Sequence, residues 1–323
     1  MTTEGLMPVA AVAELIREGH YLSLAGDEAA LRQLPLGHWI GGTIPYFMAA
    51  TGGTVSRDQV FVQPVTGFAA APRLRLYDAG SLPQLCRNAP DHGFSLLIVP
   101  AFSTCHGDFA RNAPNYEDMY LKPLAGWVAG THLDDAGHAT PQVVLGSSGE
   151  FSAEHAVVMD VELPPERFAQ IDIVNPFKPG DGDAISFPDT GFSVDICRVN
   201  GEAMHLADYL CALEVDTRLP LVADYCGASV NVSIKHIDAA ARRVEFYAPV
   251  FPGLTYRLAI ASGESAPPGI GGDVSPMFAC NCILNFLYEG LEGQPAGALT
   301  GPATFGEIGY QLLNQTQVVL TIR

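Results

Sequence analysis

The uncharged stretch 33–56 places the strongest constraint on the fold, because it is long enough to raise the question of a membrane-spanning helix. Glycines and prolines recur through it, and each one breaks helical continuity. These breakers are Pro35, Gly37, Gly41, Gly42, Pro45, Gly52 and Gly53. The stretch is therefore expected to form buried strands and turns.

Charge and composition narrow the class of protein. Hydrophobic residues make up 48% of the 323-residue chain, and 35 acidic against 17 basic residues give a formal net charge of −18. Such a negative field repels phosphate backbones and anionic lipid, so neither nucleic acid nor a membrane is an expected partner. Glu4 and Glu14 flank the short apolar run at the N-terminus, which does not resemble a secretory signal. We expect a cytoplasmic location.

Hydrophobic periodicity predicts an α+β fold with more strands than helices. Val9, Val12, Ala13 and Ile16 share one helical face, while 94–99 is a continuous apolar run of strand length. A loop rich in proline, glycine and aspartate covers 175–188. We therefore expect two layered modules, 1–170 and 171–323, of mainly antiparallel or mixed sheet with covering helices.

The seven cysteines form an odd number without framework spacing, so we expect free and mostly buried thiols. Cys105, followed by His106, and Cys280 are nonetheless candidate nucleophiles of a cysteine-dependent amide hydrolase. Cys280 and Cys282 have the wrong spacing for a zinc knuckle. No metal ion is expected, since a solvated loop accounts for the His132 to His138 region.

Both tryptophans lie in similar pentapeptides, Trp39-Ile-Gly-Gly-Thr43 and Trp127-Val-Ala-Gly-Thr131. Glycine in a strand permits close packing of backbones, which is one explanation of the similarity. The other is a cavity edge, where glycine exposes backbone amides and threonine supplies a hydroxyl. Both explanations remain open at this stage.

Near the C-terminus, the stretch 301–316 places Glu307 between glycines and apolar residues, with Asn314 shortly after it. A buried carboxylate requires a partner, which either the glycine turn or a ligand could supply. Asn314 could tether the preceding loop or orient the same ligand.

Several of these stretches together resemble the FIST family of bacterial sensory domains. "FACNC", "GPATFGEIG" and "LLNQTQVVL" are similar to the ending of its C-terminal module, and "PLAGWVAGTHL" and "AVVMDVEL" to elements of its N-terminal module. The resemblance implies small-ligand sensing, with amino acids among the proposed ligands and haem binding in some members. It also implies that 1–170 and 171–323 are the two modules.

The function expected from the sequence is a non-catalytic, cytoplasmic sensory protein that binds a small, amino-acid-like molecule. We expect no output domain within the chain, so signalling would require a separate partner or a homo-oligomer. The amide hydrolase and a haem-binding sensor with His106 or His132 as axial ligand are the alternatives. The expected ligand-binding residues are Gly41, Gly42, Thr43, Gly126, Trp127, Gly130, Thr131, Cys280, Asn281, Thr304, Glu307 and Asn314.

Overall fold

The computed structural model describes residues 4–225, 228–263, 276–295 and 299–323. These residues divide into two compact units. The first comprises Met1–Ile173, Ala266–Leu312 and Gln317–Arg323, and the second comprises Val174–Ser265 and Leu313–Thr316. Much of the C-terminal region thus belongs to the first unit, whereas the sequence analysis divides the chain once, at 170/171.

Thirteen strands of the described residues begin before the second unit. They are β1 (Gly5–Pro8), β2 (Tyr21–Gly26), β3 (Trp39–Thr43), β4 (Tyr46–Ala49), β5 (Gly52–Val55), β6 (Gln59–Val65), β7 (Arg73–Tyr77), β8 (Gly93–Pro100), β9 (Leu124–Ala129), β10 (Val143–Leu145), β11 (Glu150–Ser152), β12 (Ala156–Glu162) and β13 (Ala169–Val174).

The remaining strands follow in chain order. They are β14 (Phe177–Pro179), β15 (Ile185–Ser186), β16 (Gly191–Val194), β17 (Ile196–Val199), β18 (Glu202–His205), β19 (Leu221–Tyr225), β20 (Ala228–Val232), β21 (Ile234–Asp238), β22 (Arg243–Val250), β23 (Tyr256–Ala261), β24 (Phe278–Cys282), β25 (Gly301–Thr304), β26 (Glu307–Gly309), β27 (Gln311–Leu313) and β28 (Gln317–Ile322).

The helices are short. The α-helices are α1 (Val9–Arg17), α2 (Glu28–Leu31), α3 (Leu85–Asn88), α4 (Thr104–Asn112), α5 (Leu206–Ala212) and α6 (Ile283–Tyr288), and three 3₁₀ turns cover Leu82–Gln84, Ala113–Asn115 and Leu133–Asp135. The periodicity-based helix at 9–16 is α1, which buries Val12, Ala13 and Ile16. The apolar run at 94–99 lies within β8, which is buried along its whole length.

The first unit contains three six-stranded sheets with the same topology. Their strand orders are β1-β6-β2-β3-β10-β11, β7-β12-β8-β9-β26-β27 and β13-β28-β24-β25-β4-β5. Each sheet has one parallel pair at its centre, namely β2–β3, β8–β9 or β24–β25, with an antiparallel neighbour on either side. The unit is therefore built from three structural repeats, 5–65, 73–162 and 169–322, the last of which contains the inserted second unit.

The repeats are linked cyclically by exchanged hairpins. The hairpin β4–β5 of the first repeat extends the third sheet, the β10–β11 hairpin extends the first sheet, and the β26–β27 segment extends the second. Because each repeat completes the sheet of another, hydrogen bonds join all three into one unit.

The two tryptophan pentapeptides lie on equivalent strands, β3 and β9, but they are not in structural register. Thr43 N donates to Gln142 O at 2.9 Å, and the equivalent bond in the next sheet runs from Val128 N to Gly306 O at 2.8 Å. Thr43 therefore corresponds to Val128 and not to Thr131. The similar sequences are not aligned copies of one structural position.

The second unit has its own core, which includes Phe187, Leu210, Val232 and Tyr256. A seven-stranded sheet and a three-stranded sheet, β16-β22-β21, surround this core. Helix α5 contributes Leu206, Ala207 and Leu210 to this core.

The structure is mainly β-sheet, with mixed and antiparallel sheets and few helices, and this confirms the α+β prediction at that level.

Six cysteines are free thiols, of which only Cys211 is exposed, and Cys226 lies outside the described residues. Across the described ranges, no helix is both long enough and apolar enough to span a membrane.

Candidate functional site

A cavity of about 360 Å³ lies in the first unit, where three strands end. It is bordered by the residues that follow the C-terminal ends of β2, β3 and β9. Ligands of open α/β sheets bind outside the carboxyl ends of strands, and small-molecule cavities commonly enclose about 300–1,000 Å³. The position and size of this cavity therefore fit a small-molecule site. Its lining comprises Asp27, Glu28, Ala29, Arg32, Thr43, Ile44, Pro45, Arg57, Gly130, Thr131, His132, Asp135, Ala139 and Thr140.

Thr43 and Gly130 form the framework of the cavity. The Thr43 hydroxyl donates to Gly130 O at 2.7 Å and accepts from Gln142 N at 2.9 Å. In return, Gly130 N donates to Thr43 O at 2.7 Å. Thr43 is almost fully buried, so each of these bonds satisfies a polar group away from water. One side chain thus fixes the end of β3 against the ends of the loop 130–142.

That loop is where the repeats differ most. Only two residues, Ile44 and Pro45, separate β3 from β4, and two, Phe305 and Gly306, separate β25 from β26. The equivalent connection between β9 and β10 is the much longer loop 130–142, which supplies Thr131, His132 and Asp135 to the cavity wall. The cavity therefore coincides with a departure from the internal repeat.

Two ion pairs border the cavity. Arg57 Nη1 lies 2.7 Å from Asp135 Oδ2, and Arg32 Nη2 lies 2.6 Å from Glu28 Oε1. The bond from Arg57 lowers the pKa of Asp135, and the same bond raises the pKa of Arg57. Arg32 also lies over the Phe151 ring, with its guanidinium carbon 4.1 Å from the ring centroid, a cation–π geometry.

Asp27 adds a third carboxylate to the lining. It follows β2 directly and caps α2, since Asp27 Oδ1 accepts a bond from Ala29 N at 3.1 Å. Aspartate is a favoured N-cap, and the residue is thereby held at the end of the strand. The lining thus carries three carboxylates and two guanidinium groups.

His132 is held in the wall by ring stacking. Its ring centroid lies 5.4 Å from that of Tyr46, and the Tyr46 hydroxyl accepts a bond from Leu133 N at 3.0 Å. Asp134 N donates to His132 Nδ1 at 3.2 Å. These contacts order the start of the loop 130–142.

No group of three or more potential metal ligands occurs among the described residues.

Of the predicted ligand-binding residues, Thr43, Gly130 and Thr131 border the cavity. Glycines 41, 42 and 126 lie within strands and serve close packing. A Cβ on Gly126 would lie 1.9 Å from Leu97 O, and one on Gly42 would meet Ile98 and Trp127 at 2.7 Å. Trp127 itself is buried on β9 beside these contacts.

Four other predicted residues form a buried group beside β9, namely Cys280, Asn281, Thr304 and Glu307. Glu307 is fully buried and pairs with Trp127, and Cys280 Sγ donates to Gly126 O at 3.4 Å. The Thr304 hydroxyl is placed to bond Asn281 O at 3.1 Å and Gly306 O at 2.9 Å. None of the four borders the cavity.

Asn314 lies in the second unit. Its Nδ2 donates to Leu313 O at 3.1 Å, and its own carbonyl accepts a bond from Asn231 Nδ2 at 3.1 Å. The latter bond helps to tie 313–316 to β20. This tie therefore uses the Asn314 backbone carbonyl, whereas the side chain bonds the adjacent residue.

Cys105 and His106 follow β8 on α4, and their contacts point in different directions. Cys105 Sγ donates to Tyr77 O at 3.5 Å, whereas Phe102 N donates to His106 Nδ1 at 3.3 Å. Burial raises the pKa of Cys105 to about 11 and lowers that of His106 to about 4. Burial, with a smaller contribution from Glu307, also raises the pKa of Cys280.

Sequence reasoning missed the charged residues of the cavity, namely Asp27, Glu28, Arg32 and Arg57, and assigned Asp135 to a solvated loop. Asp27 carried a usable signal, because an aspartate directly after a buried strand is a common helix cap at a strand end. Arg57 carried none, since its role depends on the folding of a distant loop against it.

The chain belongs to a family of unknown function, DUF6976, whose model matches residues 7–323. No curated protein matches the chain. The resemblance to the FIST family is wrong, because DUF6976 is the family that spans the chain. The motifs that suggested it, such as "GPATFGEIG", form the turn between β25 and β26. Short glycine turns between buried strands satisfy a general folding requirement and are weak markers of a family.

Proposed function

We propose that the protein binds a small polar molecule, cationic or zwitterionic, in the cavity at the ends of β2, β3 and β9, without transforming it. The observation that carries the proposal is the ring of three carboxylates and two guanidinium groups around a cavity of about 360 Å³. An acidic excess in the lining favours a ligand with a cationic group. The two arginines can donate hydrogen bonds to a carboxylate of the same ligand. An amino-acid-like ligand has both groups.

The amide hydrolase alternative is less well supported. Its nucleophile must be a thiolate, and burial raises the pKa of Cys105 and Cys280 well above the neutral range. Neither cysteine borders the cavity. Both thiols have the environment of packed core residues.

The haem alternative has little support from the site residues. The His132 ring stacks on Tyr46, and His106 accepts a backbone bond from Phe102. An axial ligand needs an imidazole that faces an apolar slot, whereas the lining next to His132 is charged. Reconstitution with haem should therefore give no Soret band characteristic of axial ligation.

A sensory role, a cytoplasmic location and signalling through a separate partner or a homo-oligomer stay predictions. That the chain forms two layered modules also stays a prediction, which the separate core of the second unit supports. Binding is the step that can be tested first.

The test is a thermal-shift screen of small zwitterions, cations and anions, followed by calorimetry on the compounds that stabilise the protein. Two changes probe the site: Arg57→Gln, and a swap that combines Arg57→Asp with Asp135→Arg. The swap preserves an ion pair but reverses its polarity, so it should keep the melting temperature and lose at least about tenfold in affinity.

Arg198→Gln is the matched control, since Arg198 is an exposed strand arginine of the second unit. It should bind as the wild type does. The proposal fails if no cationic or zwitterionic compound stabilises the wild type, or if the swapped variant binds with unchanged affinity.

A further inference from the structure

A second polar cluster of the first unit lies on β7, the end strand of the second sheet. Arg73 and Arg75 are two residues apart on this strand, so their side chains leave the same face. Asp160 of β12 is the direct cross-strand partner of Arg73, and Ser95 of β8 is in turn paired with Asp160. A single row across three strands thus brings these groups together.

Asp160 is buried, with 2% of its surface exposed. Its Oδ1 accepts a bond from the Ser95 hydroxyl at 2.7 Å, while no donor of the described residues bonds its Oδ2. Arg73 Nη2 and Arg75 Nε each lie 3.9 Å from Oδ2. That distance is too long for a hydrogen bond, so the carboxylate attracts both guanidinium groups without occupying their donors.

The donors of the two arginines are largely unused. Arg73 gives one bond, from Nη2 to Asn88 O at 3.1 Å, and Arg75 donates none to the part of the chain that the structure describes. The Arg73 and Arg75 side chains are 54% and 35% exposed, so a small ion in solution can reach both guanidinium groups. A guanidinium with unused donors favours an oxyanion.

A third cation, Lys122, contacts the same chain segment as Arg73. Lys122 Nζ donates to Pro90 O at 3.2 Å and to Asp91 Oδ1 at 2.5 Å. Arg73 and Lys122 therefore hold the same short segment, 88–91. In a chain with a net charge of −18, this concentration of positive charge is a local exception.

We propose that Arg73 and Arg75 form an oxyanion-binding site on β7, in which Asp160 positions the two guanidinium groups. The ligand class is a small phosphate or carboxylate anion. The site is separate from the cavity at the ends of β2, β3 and β9, and it does not depend on that cavity binding anything.

The burial of Asp160 is consistent with this role. Burial raises its pKa, an effect that the Ser95 bond and the two arginines reduce. The arginines therefore compensate the carboxylate only partly, as expected at a separation of 3.9 Å. A planar guanidinium with free donors can bind an oxyanion through two parallel bonds.

The test is isothermal titration calorimetry of the full chain with inorganic phosphate and, separately, with malonate, at constant ionic strength. We expect saturable binding of at least one anion by the wild type. Arg75→Gln should lower the affinity at least about tenfold, and Arg75→Lys should also weaken it because lysine lacks the planar fork.

Arg198→Gln is again the control, because it removes the same charge from an exposed strand arginine elsewhere. Stronger binding of phosphate than of malonate would identify a phosphate site, and the reverse order a carboxylate site. The proposal is overturned if the wild type binds neither anion saturably, or if Arg75→Gln and Arg198→Gln lower the affinity equally.

Discussion

Two strand ends of the first unit have equivalent topology and opposite character. At the ends of β2 and β3, the chain turns through Asp27 and Thr43, and a charged cavity remains. At the end of β8, the exposed Phe102 ring lies 6.3 Å from the Phe305 ring, which in turn packs on Gly130. We refer to these as the open end and the closed end.

The comparison shows that topology alone does not determine where a site forms. At both ends a helix connects the two strands of a parallel pair, yet the open end has small and charged residues and borders the long loop 130–142. The closed end has aromatic residues instead. The third strand end, after β24 and β25, is covered by α6, whose Phe286 ring lies 5.7 Å from that of Tyr46.

The largest expected effect concerns Gly126, the glycine that lets β9 lie close to its neighbouring strand β8. Gly126→Ala places a methyl group 1.9 Å from Leu97 O, where backbone must move. We expect a loss of about 3 kcal/mol in the free energy of unfolding, at the upper end of overpacking costs. Urea denaturation monitored by circular dichroism measures it.

Gly182→Ala is the matched control, because its Cβ would meet nothing within 4 Å and its backbone conformation suits other residues. It should change stability by less than about 0.5 kcal/mol. Equal losses in the two variants would contradict the close-packing role of Gly126.

The second prediction concerns chemical reactivity at the closed end. Burial raises the pKa of Cys105 to about 11, whereas Cys211 is exposed on α5. At pH 8 only a very small fraction of a thiol with a pKa of about 11 is ionised, and Cys105 is buried as well, so Cys211 should be alkylated at least about a hundredfold faster than Cys105. Peptide mass spectrometry after timed labelling with iodoacetamide gives the rates.

Raising the pH should increase the Cys105 rate up to a pH near its pKa, because only the thiolate reacts. Cys211→Ser should leave Cys105 labelling slow and thereby exclude an influence of one modification on the other. Fast labelling of Cys105 at pH 8 would contradict an inert closed end and would revive the hydrolase alternative.

The third prediction uses the natural difference between the two ends at one position. Thr43 of β3 corresponds to Val128 of β9, so Thr43→Val gives β3 the residue that β9 has at this position. The substitution removes the donor to Gly130 O and the acceptor for Gln142 N. We expect a loss of about 1–3 kcal/mol, the usual cost of leaving buried groups unsatisfied.

Hydrogen exchange should localise the loss to the loop 130–142, because Thr43 anchors both of its ends. Thr43→Ser keeps the hydroxyl and should retain most of the stability. If the valine variant is as stable as the serine variant, the hydroxyl does not hold the loop.

The fold was partly predictable from local patterns. The helix at 9–17 and the strand at 93–100 follow from apolar periodicity that involves only neighbouring residues. The three repeats could not be found in this way, because they share strand order and pairing rather than sequence. Even the tryptophan pentapeptides are out of structural register, since Thr43 matches Val128.

The candidate site was less predictable than the fold. Thr43, Gly130 and Thr131 were recognised from glycine and threonine at strand ends, which is a local signal. Arg57 and Asp135 are ordinary surface residues in the sequence, and only the folded chain brings them to 2.7 Å. Glu307 was expected near a ligand, whereas its burial places it among packed strands.

The smallest expected effect concerns the backbone of Phe102 at the closed end. Phe102 has a φ of 66°, in the left-handed region, and its side chain is 76% exposed. Phe102→Gly relieves about 1 kcal/mol of strain and loses an aromatic pair of about 0.5–1.5 kcal/mol, so the two changes nearly cancel. Thermal unfolding should place this variant within a few degrees of the wild type.

Phe102→Ala separates the two contributions, because alanine also loses the ring but keeps the strained conformation. It should be less stable than the glycine variant by about 1 kcal/mol, the difference expected for a left-handed residue. If the two variants unfold together, strain at Phe102 is negligible and the position is held by the ring alone. In that case an aromatic residue at the end of β8 suffices to close this strand end, and the contrast with the open end reduces to side-chain size and charge.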